Sequence, residues 1–308
     1  MYTLFTDPLH RIAYATDASA YREVPEAVTF PENEQDIVYL TELARERKTH
    51  LIPRAGGTSI AGQVVGSGIV VDISKHFKKI LETNKEERWA RVQPGVVLDE
   101  LNLALEPYGL FFSPETSTSN RCCIGGMFGN NSCGSHSLIY GSTRHHVLEA
   151  RGVLCDGSIE VFKDYTIHEL EARFGPRFWE TDIPCHSVRG HKDGVMESME
   201  CRIPDGSLIQ SIYTQLIRWA LDEKTVRLIE ENYPDKSLRR RSCGYAIDEV
   251  IEDLHNTSKP LEQRTINLCK VLAGSEGTLA FITEIKVDLD PLPPKEKMVV
   301  CAHCDTLQ

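Results

Sequence analysis

Apolar residues recur in two rhythms that alternate through the first half of this chain. Short runs, Ala27-Val28-Thr29-Phe30, Leu51-Ile52, Ile69-Val70-Val71-Asp72-Ile73 and Trp89-Ala90-Arg91-Val92-Gln93, predict strands. Between the first two, Ile37, Leu40, Leu43 and Ala44 keep helical spacing. Asn33 stands where an N-cap is needed, with Asp36 at the third helical position. Arg45, Arg47 and Lys48 fall in the last turn, where cations suit the helix dipole. The segment is a β-α-β unit, and residues 11–21 before it read as irregular. Val97, Leu98, Leu101 and Leu105 mark a second amphipathic helix, stopped by Pro107 and Gly109. Residues 147–154 return to strand rhythm, and Asp156-Gly157 supplies a hairpin turn into Ile159-Glu160-Val161.

From about Lys163 to Lys270 the rhythm becomes mostly helical. Residues 167–173 and the long run 208–231 read as helices, the second with Ile209, Ile212, Leu216, Trp219 and Ala220 on one side. The polar stretch around His191-Lys192-Asp193-Gly194 reads as an exposed loop. Asp290-Pro291-Leu292-Pro293-Pro294 is a linker, and Met298-Val299-Val300-Cys301-Ala302 begins another strand. This order of elements predicts an α+β fold of two sub-domains with a ligand held between them.

Composition narrows the partners. The 308 residues are 41% hydrophobic and 26% charged, ordinary for a globular chain with a sizeable core. A net charge of −11 without any basic stripe argues against nucleic acid or an anionic membrane surface as the main partner. No apolar run reaches membrane-spanning length, which leaves only peripheral association open. The first residues show no basic leader followed by an apolar run, so the ten cysteines are read as reduced thiols in the cytoplasm, most of them small buried hydrophobes.

Three polar, glycine-rich stretches carry the candidate chemistry. The first is Pro53-Arg54-Ala55-Gly56-Gly57-Thr58-Ser59-Ile60-Ala61-Gly62-Gln63, set between two strands. Glycines allow positive φ and close approach to the main chain, successive amides make an anion-binding concavity, and the Thr58 and Ser59 hydroxyls can donate to phosphate oxygens. Arg54 adds charge if it turns inward. An ordinary glycine-rich turn is the competing reading, and the spacing fits neither a dinucleotide nor a P-loop fingerprint. The second stretch runs from Pro114 to Ser142 and is dense in small, hydroxyl-bearing residues, a poor core and a good wrapper for a long polar ligand. The third is Gly274-Ser275-Glu276-Gly277-Thr278-Leu279-Ala280-Phe281-Ile282-Thr283.

In this order the three stretches resemble the FAD-binding domain of the vanillyl-alcohol-oxidase (p-cresol methylhydroxylase) flavoprotein superfamily. The likeness is greatest to the D-lactate and D-2-hydroxyglutarate dehydrogenase branch, whose full-length members carry a C-terminal iron–sulfur part. The resemblance implies a pyrophosphate role for Arg54, Ala55, Gly56, Gly57, Thr58, Ser59, Gly62 and Gln63. It places Pro114, Glu115, Thr116, Thr118, Ser119, Asn120, Cys122, Gly125, Gly126, Asn130, Asn131 and Ser132 beside the flavin ring and ribityl chain, with Tyr140 and Gly141 ending that segment. Gly125 and Gly126 are expected to approach the cofactor most closely. Glu276, Gly277 and Ile282 match the third flavin segment. Residues 1–290 are then a FAD-binding domain with a helical insertion over about 163–270, and 291–308 are a linker and the first strand of a cap domain. The expectation is a cut chain, or one whose cap resides elsewhere; catalytic residues, a metal-type site and any iron–sulfur cluster would lie in that remainder.

The resemblance implies oxidation of a small D-2-hydroxyacid to a 2-oxoacid, with an electron acceptor to follow. The alternatives are a flavin oxidase of the same fold, of glycolate or alditol type, and a stand-alone FAD-binding module without turnover. Of the remaining clusters, Cys122-Cys123 is a poor disulfide, and Cys301, His303 and Cys304 lack a second cysteine pair at zinc-ribbon distance. His145-His146 reads as solvated or core. Arg239-Arg240-Arg241 reads as a solvated charge run, with a substrate-anion role as the sharper alternative.

Members of the family that tether flavin use a histidine directly after the two glycines, where this chain has Thr58. FAD is therefore expected to bind without a covalent bond. Acid precipitation of the yellow protein should leave the colour in the supernatant; flavin retained in the washed pellet would overturn this.

Overall fold

The computed structural model describes residues 3–180, 207–235, 237–238, 241 and 244–294. The expected loop around His191, the strand from Met298, Arg239, Arg240 and the Cys301–Cys304 pair lie outside them.

The chain starts with a short helix, α1 (Pro8–Ala13), capped by Asp7, so the segment expected to be irregular begins with a helical turn. β1 (Ala27–Thr29), α2 (Glu34–Arg47) and β2 (Leu51–Arg54) form the β-α-β unit. Asn33 caps α2 by accepting from the Asp36 amide, as its position dictates, and Lys48 closes it in the left-handed region. β3 (Ile69–Asp72) lies between β1 and β2, parallel to both, and every one of its residues is buried. A parallel sheet needs cover on both faces. Here Ile37 and Leu40 of α2 cover one, and Phe5 and Tyr14 from the N-terminal segment pack on the other, against Val28, Ile52 and Val70.

The second layer is an antiparallel sheet built from β4 (Ile80–Asn84), β5 (Trp89–Val92), β7 (Val147–Val153), β8 (Ile159–Phe162) and β11 (Phe281–Asp288), in the order β4-β5-β11-β7-β8. α3 (Leu98–Leu105) and β6 (Leu110–Phe111) follow β5, and three short helices, α4 (Ile124–Gly129), α5 (Ser137–Tyr140) and α6 (Thr143–His146), carry the chain to β7. β11 alternates buried and half-buried residues along its whole length, the two-residue period of a strand with one face on a core. It arrives more than a hundred residues after β7 and inserts between β5 and β7. The short strand β4 and these short helices escape sequence reading because none repeats an apolar pattern long enough to register.

Among the described residues between β8 and β11 the chain is mostly helical, as its rhythm indicates: β9 (Tyr165–Thr166), α7 (Ile167–Phe174), α8 (Leu208–Leu221), α9 (Glu223–Asn232), α10 (Ile247–His255), β10 (Thr265–Ile266) and α11 (Cys269–Leu272). The expected single helix over 208–231 is two. Asp222 ends α8 and turns its carboxylate onto the Lys224 and Thr225 amides, starting α9. Residues 290–291, expected as linker, pair with β6 as a short strand, β12 (Asp290–Pro291).

Two charge clusters, one half-buried and one largely buried, join these parts. Arg151 of β7 pairs with Glu34 at the start of α2 (2.9 Å), and Thr283 of β11 donates to the same carboxylate (2.7 Å). Arg144, 4% exposed, donates to the carbonyls of Lys270 (2.9 Å) and Ala273 (2.8 Å) and to Glu249 (3.3 Å). Arg241 pairs with Asp248 (2.6 Å) and Glu249 (2.7 Å) and stands over the Tyr233 ring, so it is no solvated charge. Replacing Arg144 by Met should leave two carbonyls and part of the Glu249 charge unmatched. We expect a loss of about 3 kcal/mol, read as a lower urea midpoint with an unchanged slope; an unchanged midpoint would show that the cluster is not structural.

Candidate functional site

The first glycine stretch leaves the sheet at the carboxyl end of β2, the end at which parallel sheets receive ligands. The amides of Ala55, Gly56, Gly57 and Thr58 have no hydrogen-bond partner among the described residues. Gly57 has φ +63°, and a Cβ there would stand 2.6 Å from Nη2 of Arg54. A Cβ on Gly56 would collide with the Arg121 carbonyl oxygen. Both glycines are thus fixed by neighbouring protein as well as by conformation. Ser59 donates to the side-chain oxygen of Gln63, and the Gln63 amide nitrogen donates to Glu276 (3.4 Å), which ties the first stretch to the third.

The second stretch is anchored on α3, whose Leu98 and Asp99 amides donate to the carbonyls of Cys122 and Ser119. Thr116, Thr118 and the Cys122 thiol form a polar cluster with Thr116 at its centre (3.2 and 3.1 Å). Gly125 and Gly126 have different reasons to be glycine. A Cβ on Gly125 would strike Pro94, whereas one on Gly126 would meet only Ala55, at 3.8 Å, and otherwise open space. The third stretch is stitched onto the second: Gly274 donates to the Phe128 carbonyl (3.0 Å) and Glu276 to that of Gly129 (2.9 Å). Glu276 sits at φ +54° and Gly277 at φ +78°, packed on Pro53.

The result is one cleft of about 330 Å³ shared by all three stretches. It brings together Arg54, Ala55, Gly56, Gly57, Thr58, Ser59 and Gln63; Thr116, Thr118, Cys122, Gly125, Gly126, Asn130 and Ser132; and Glu276, Gly277 and Ile282. The remaining expected positions lie off its walls. Gly62 packs under the Tyr21 ring. Glu115 accepts from Ser135 and pairs with His136 (3.0 Å), beside Pro114. Ser119 and Asn120 turn at the base of the second stretch. Asn131 is fully buried and bridges the Arg144 amide to the Arg241 carbonyl. Tyr140 sets its ring edge-on to Phe111, and Gly141 turns the chain toward α6 against His145.

Residues that the sequence reading did not place on the cleft are chiefly apolar, among them Ile73, Met127, Phe128, Leu272, Ala280 and Phe281. All six also pack in or beside the core, Met127, Phe128, Leu272 and Phe281 on helices or strands and Ile73 and Ala280 at strand ends, so no local signal marked them. Arg54 does not reach across the cleft. Its Nη1 donates to the Thr16 carbonyl (2.8 Å), and its guanidinium stacks over Tyr14, 5.1 Å from the ring centre. His145 caps α6 through Ser142, and buried His146 donates from Nε2 to the Tyr140 carbonyl (2.7 Å) with Asp290 3.8 Å from its Nδ1, so both have orienting partners that sequence did not reveal. Cys122 and Cys123 are free and buried, and burial pushes the Cys123 thiol up to about 12, far from a reactive thiolate. Among the described residues no three His, Cys, Asp or Glu side chains converge as metal ligands, and no helix is long and apolar enough to cross a membrane.

Four free main-chain donors, flanking hydroxyls and an open strip over Gly126 suit a ligand that is anionic at one end and flat and extended beyond it, which FAD is. The comparisons agree. Residues 25–163 match the FAD binding domain family. The chain is 36% identical over 292 residues to the D-2-hydroxyglutarate dehydrogenase of Pantoea ananatis and 37% to that of Escherichia coli, covering 94% of this chain and 25% of each relative. It therefore spans about a quarter of the length of these curated relatives. Likeness to the glycolate oxidase subunit GlcD of Bacillus subtilis is 36% over 171 residues, 53% of this chain and 36% of that protein. Among solved structures, an alkyldihydroxyacetonephosphate synthase superposes with a TM-score of 0.54 at 17% identity, over 94% of this chain and 41% of that one, a likeness of fold. The three-stretch cleft is thus built largely on a segment, residues 25–163, that is similar to a FAD binding domain, in a fold shared with that synthase.

Proposed function

We propose that this chain is the FAD-holding portion of a flavin-dependent D-2-hydroxyacid dehydrogenase, of the D-2-hydroxyglutarate or D-lactate type. One observation carries the reading: the likeness to D-2-hydroxyglutarate dehydrogenases runs over 94% of the chain, through the helical region as well as the cleft, whereas likeness to the oxidase subunit covers 53%. The amides from Ala55 to Thr58 would hold the pyrophosphate, and the strip along Gly126, Cys122 and Thr116 would take the flavin end. FAD when bound supplies the acceptor for the hydride leaving the substrate's α-carbon. Thr58 offers no tether at the position where a histidine would provide one, so binding is non-covalent. Among the described residues the cleft is lined by no histidine and by one carboxylate, Glu276, which is engaged by Gln63. A base for the hydroxyl proton is therefore not supplied by the described walls of the cleft. Cytoplasmic residence and an electron acceptor other than oxygen complete the proposal.

The two neighbouring glycines separate cofactor binding from folding. Gly126→Val should fold normally, since its side chain points into open space, yet fill the cleft and weaken FAD binding at least a hundredfold by fluorescence titration. Gly125→Ala should instead strike Pro94 and lower the melting temperature by several degrees, consistent with about 1–3 kcal/mol for overpacking. Unchanged FAD affinity in a folded Gly126→Val protein would remove the cofactor from this cleft.

Activity is tested by anaerobic mixing. The protein expressed from its whole reading frame and loaded with FAD should lose its flavin absorbance with D-2-hydroxyglutarate or D-lactate and pass electrons to a dye. The 308 residues alone, also loaded with FAD, should not. No bleaching of the former with either acid, or rapid oxygen consumption in its place, would overturn the dehydrogenase reading.

A further inference from the structure

The residues before the matched family domain do something specific. Residues 3–24 precede that domain, which begins at residue 25, yet they make the contacts that fix its anion-binding loop. Phe5 pairs with Val28 as an added bridge on β1, and Arg11 donates to the Pro25 carbonyl (2.7 Å). Thr16 and Arg22 then pair across a small loop. From this arm Tyr14 donates to Asp72 (2.6 Å), the buried last residue of β3, and lays its ring under Arg54. Thr16 accepts from Arg54 through its carbonyl, and the Tyr21 ring lies where a Cβ on Gly62 would be, at 2.8 Å. Gly57 in turn rests on the Arg54 guanidinium.

We propose that residues 14–22 are a brace for the glycine loop, with Arg54 as its pin: Arg54 is a positioning residue that holds the loop in the ligand-ready shape, and not a phosphate ligand. The physical reason lies in the free amides. A loop that keeps its donors for a ligand loses the internal bonds that would hold it, so its shape must be imposed from behind. The cation–aromatic stack and the carbonyl contact fix Arg54 on the arm side, leaving its other face to support Gly57. As a statement about FAD affinity this rests on the proposed function; as a statement about the loop it does not.

The test therefore begins without FAD. The amides of Gln63 and Val65 are hydrogen-bonded only within the loop, to Ser59 and the Gly62 carbonyl. In Arg54→Lys and Tyr14→Leu proteins their hydrogen exchange should quicken on the order of tenfold, while amides in α2 exchange as before and report an intact fold. FAD affinity should then fall to a similar degree in both, since lysine keeps the charge but loses the fork and the stack. A Tyr14→Leu, Arg54→Lys double variant should be no weaker than the weaker single, because both act through one contact. Unchanged exchange at Gln63 and Val65 in both variants overturns the brace. So does wild-type FAD affinity in Tyr14→Leu beside a loss confined to Arg54 variants, which would make Arg54 a direct ligand. If the unaltered protein does not bind FAD, the functional reading fails and the exchange data still decide the brace.

Discussion

A turn that must offer its amides to a ligand cannot use them to hold itself together. The stretch from Ala55 to Thr58 is in that position, and much of the surrounding structure answers it. Gly56 lies against the Arg121 carbonyl, Gly57 on Arg54, Gly277 on Pro53, and Gln63 reaches Glu276. Arg121 belongs to the second stretch and Glu276 and Gly277 to the third, so the loop has its shape only when these distant parts of the chain have come together. Two of the restraints, Gly57 and Gly277, also need positive φ, which explains glycine there without reference to any ligand.

The same dependence explains the two-layer build. The parallel sheet supplies a strand end that aims the loop, and the antiparallel sheet supplies the floor on which the second and third stretches meet. Val153 and Phe281, from β7 and β11 of the larger sheet, pack into the smaller core with Ile37 and Leu40. Glu34, Arg151 and Thr283 bind the layers by charge and hydrogen bond at the same seam. The cleft is therefore a boundary between two cores whose relative position is fixed at several points.

The helical region shares the larger core with the sheet through residues such as Leu170, Ile217, Ile251 and Leu254. It touches the cleft through Leu272 and Ser275, and Arg144 holds α11 to α6 behind that wall. Among the described residues the buried charges Arg144, Arg241 and Asp248 are paired with one another, with Glu249 and with main-chain carbonyls, which rigidifies the wall, although Asp248 Oδ1 makes no hydrogen bond.

Local order determined most of the elements. The β-α-β unit, the Asn33 cap, the strands around Ile69, Trp89 and residues 147–154, and the helical character after residue 163 follow from periodicity and capping chemistry that act over a few residues. So did the three glycine-rich stretches, because glycine and hydroxyl density is visible in any window. Sequence could not show that Leu208 to Asn232 is two helices, since one carboxylate at Asp222 outweighs a continuous apolar face. It placed Tyr140 and Asn131 at the site, whereas long-range packing sets Tyr140 against Phe111 and buries Asn131 between two arginines, and it could not show that Arg54, on the cleft wall, turns its guanidinium to Thr16. It read His145 and His146 as solvated or core and Arg241 as part of a solvated charge run, because their partners lie on other elements or depend on the turn of the chain. Residue type fixes what a side chain is able to do, but which partner it meets is a matter of distance in space, and only the tertiary fold sets that.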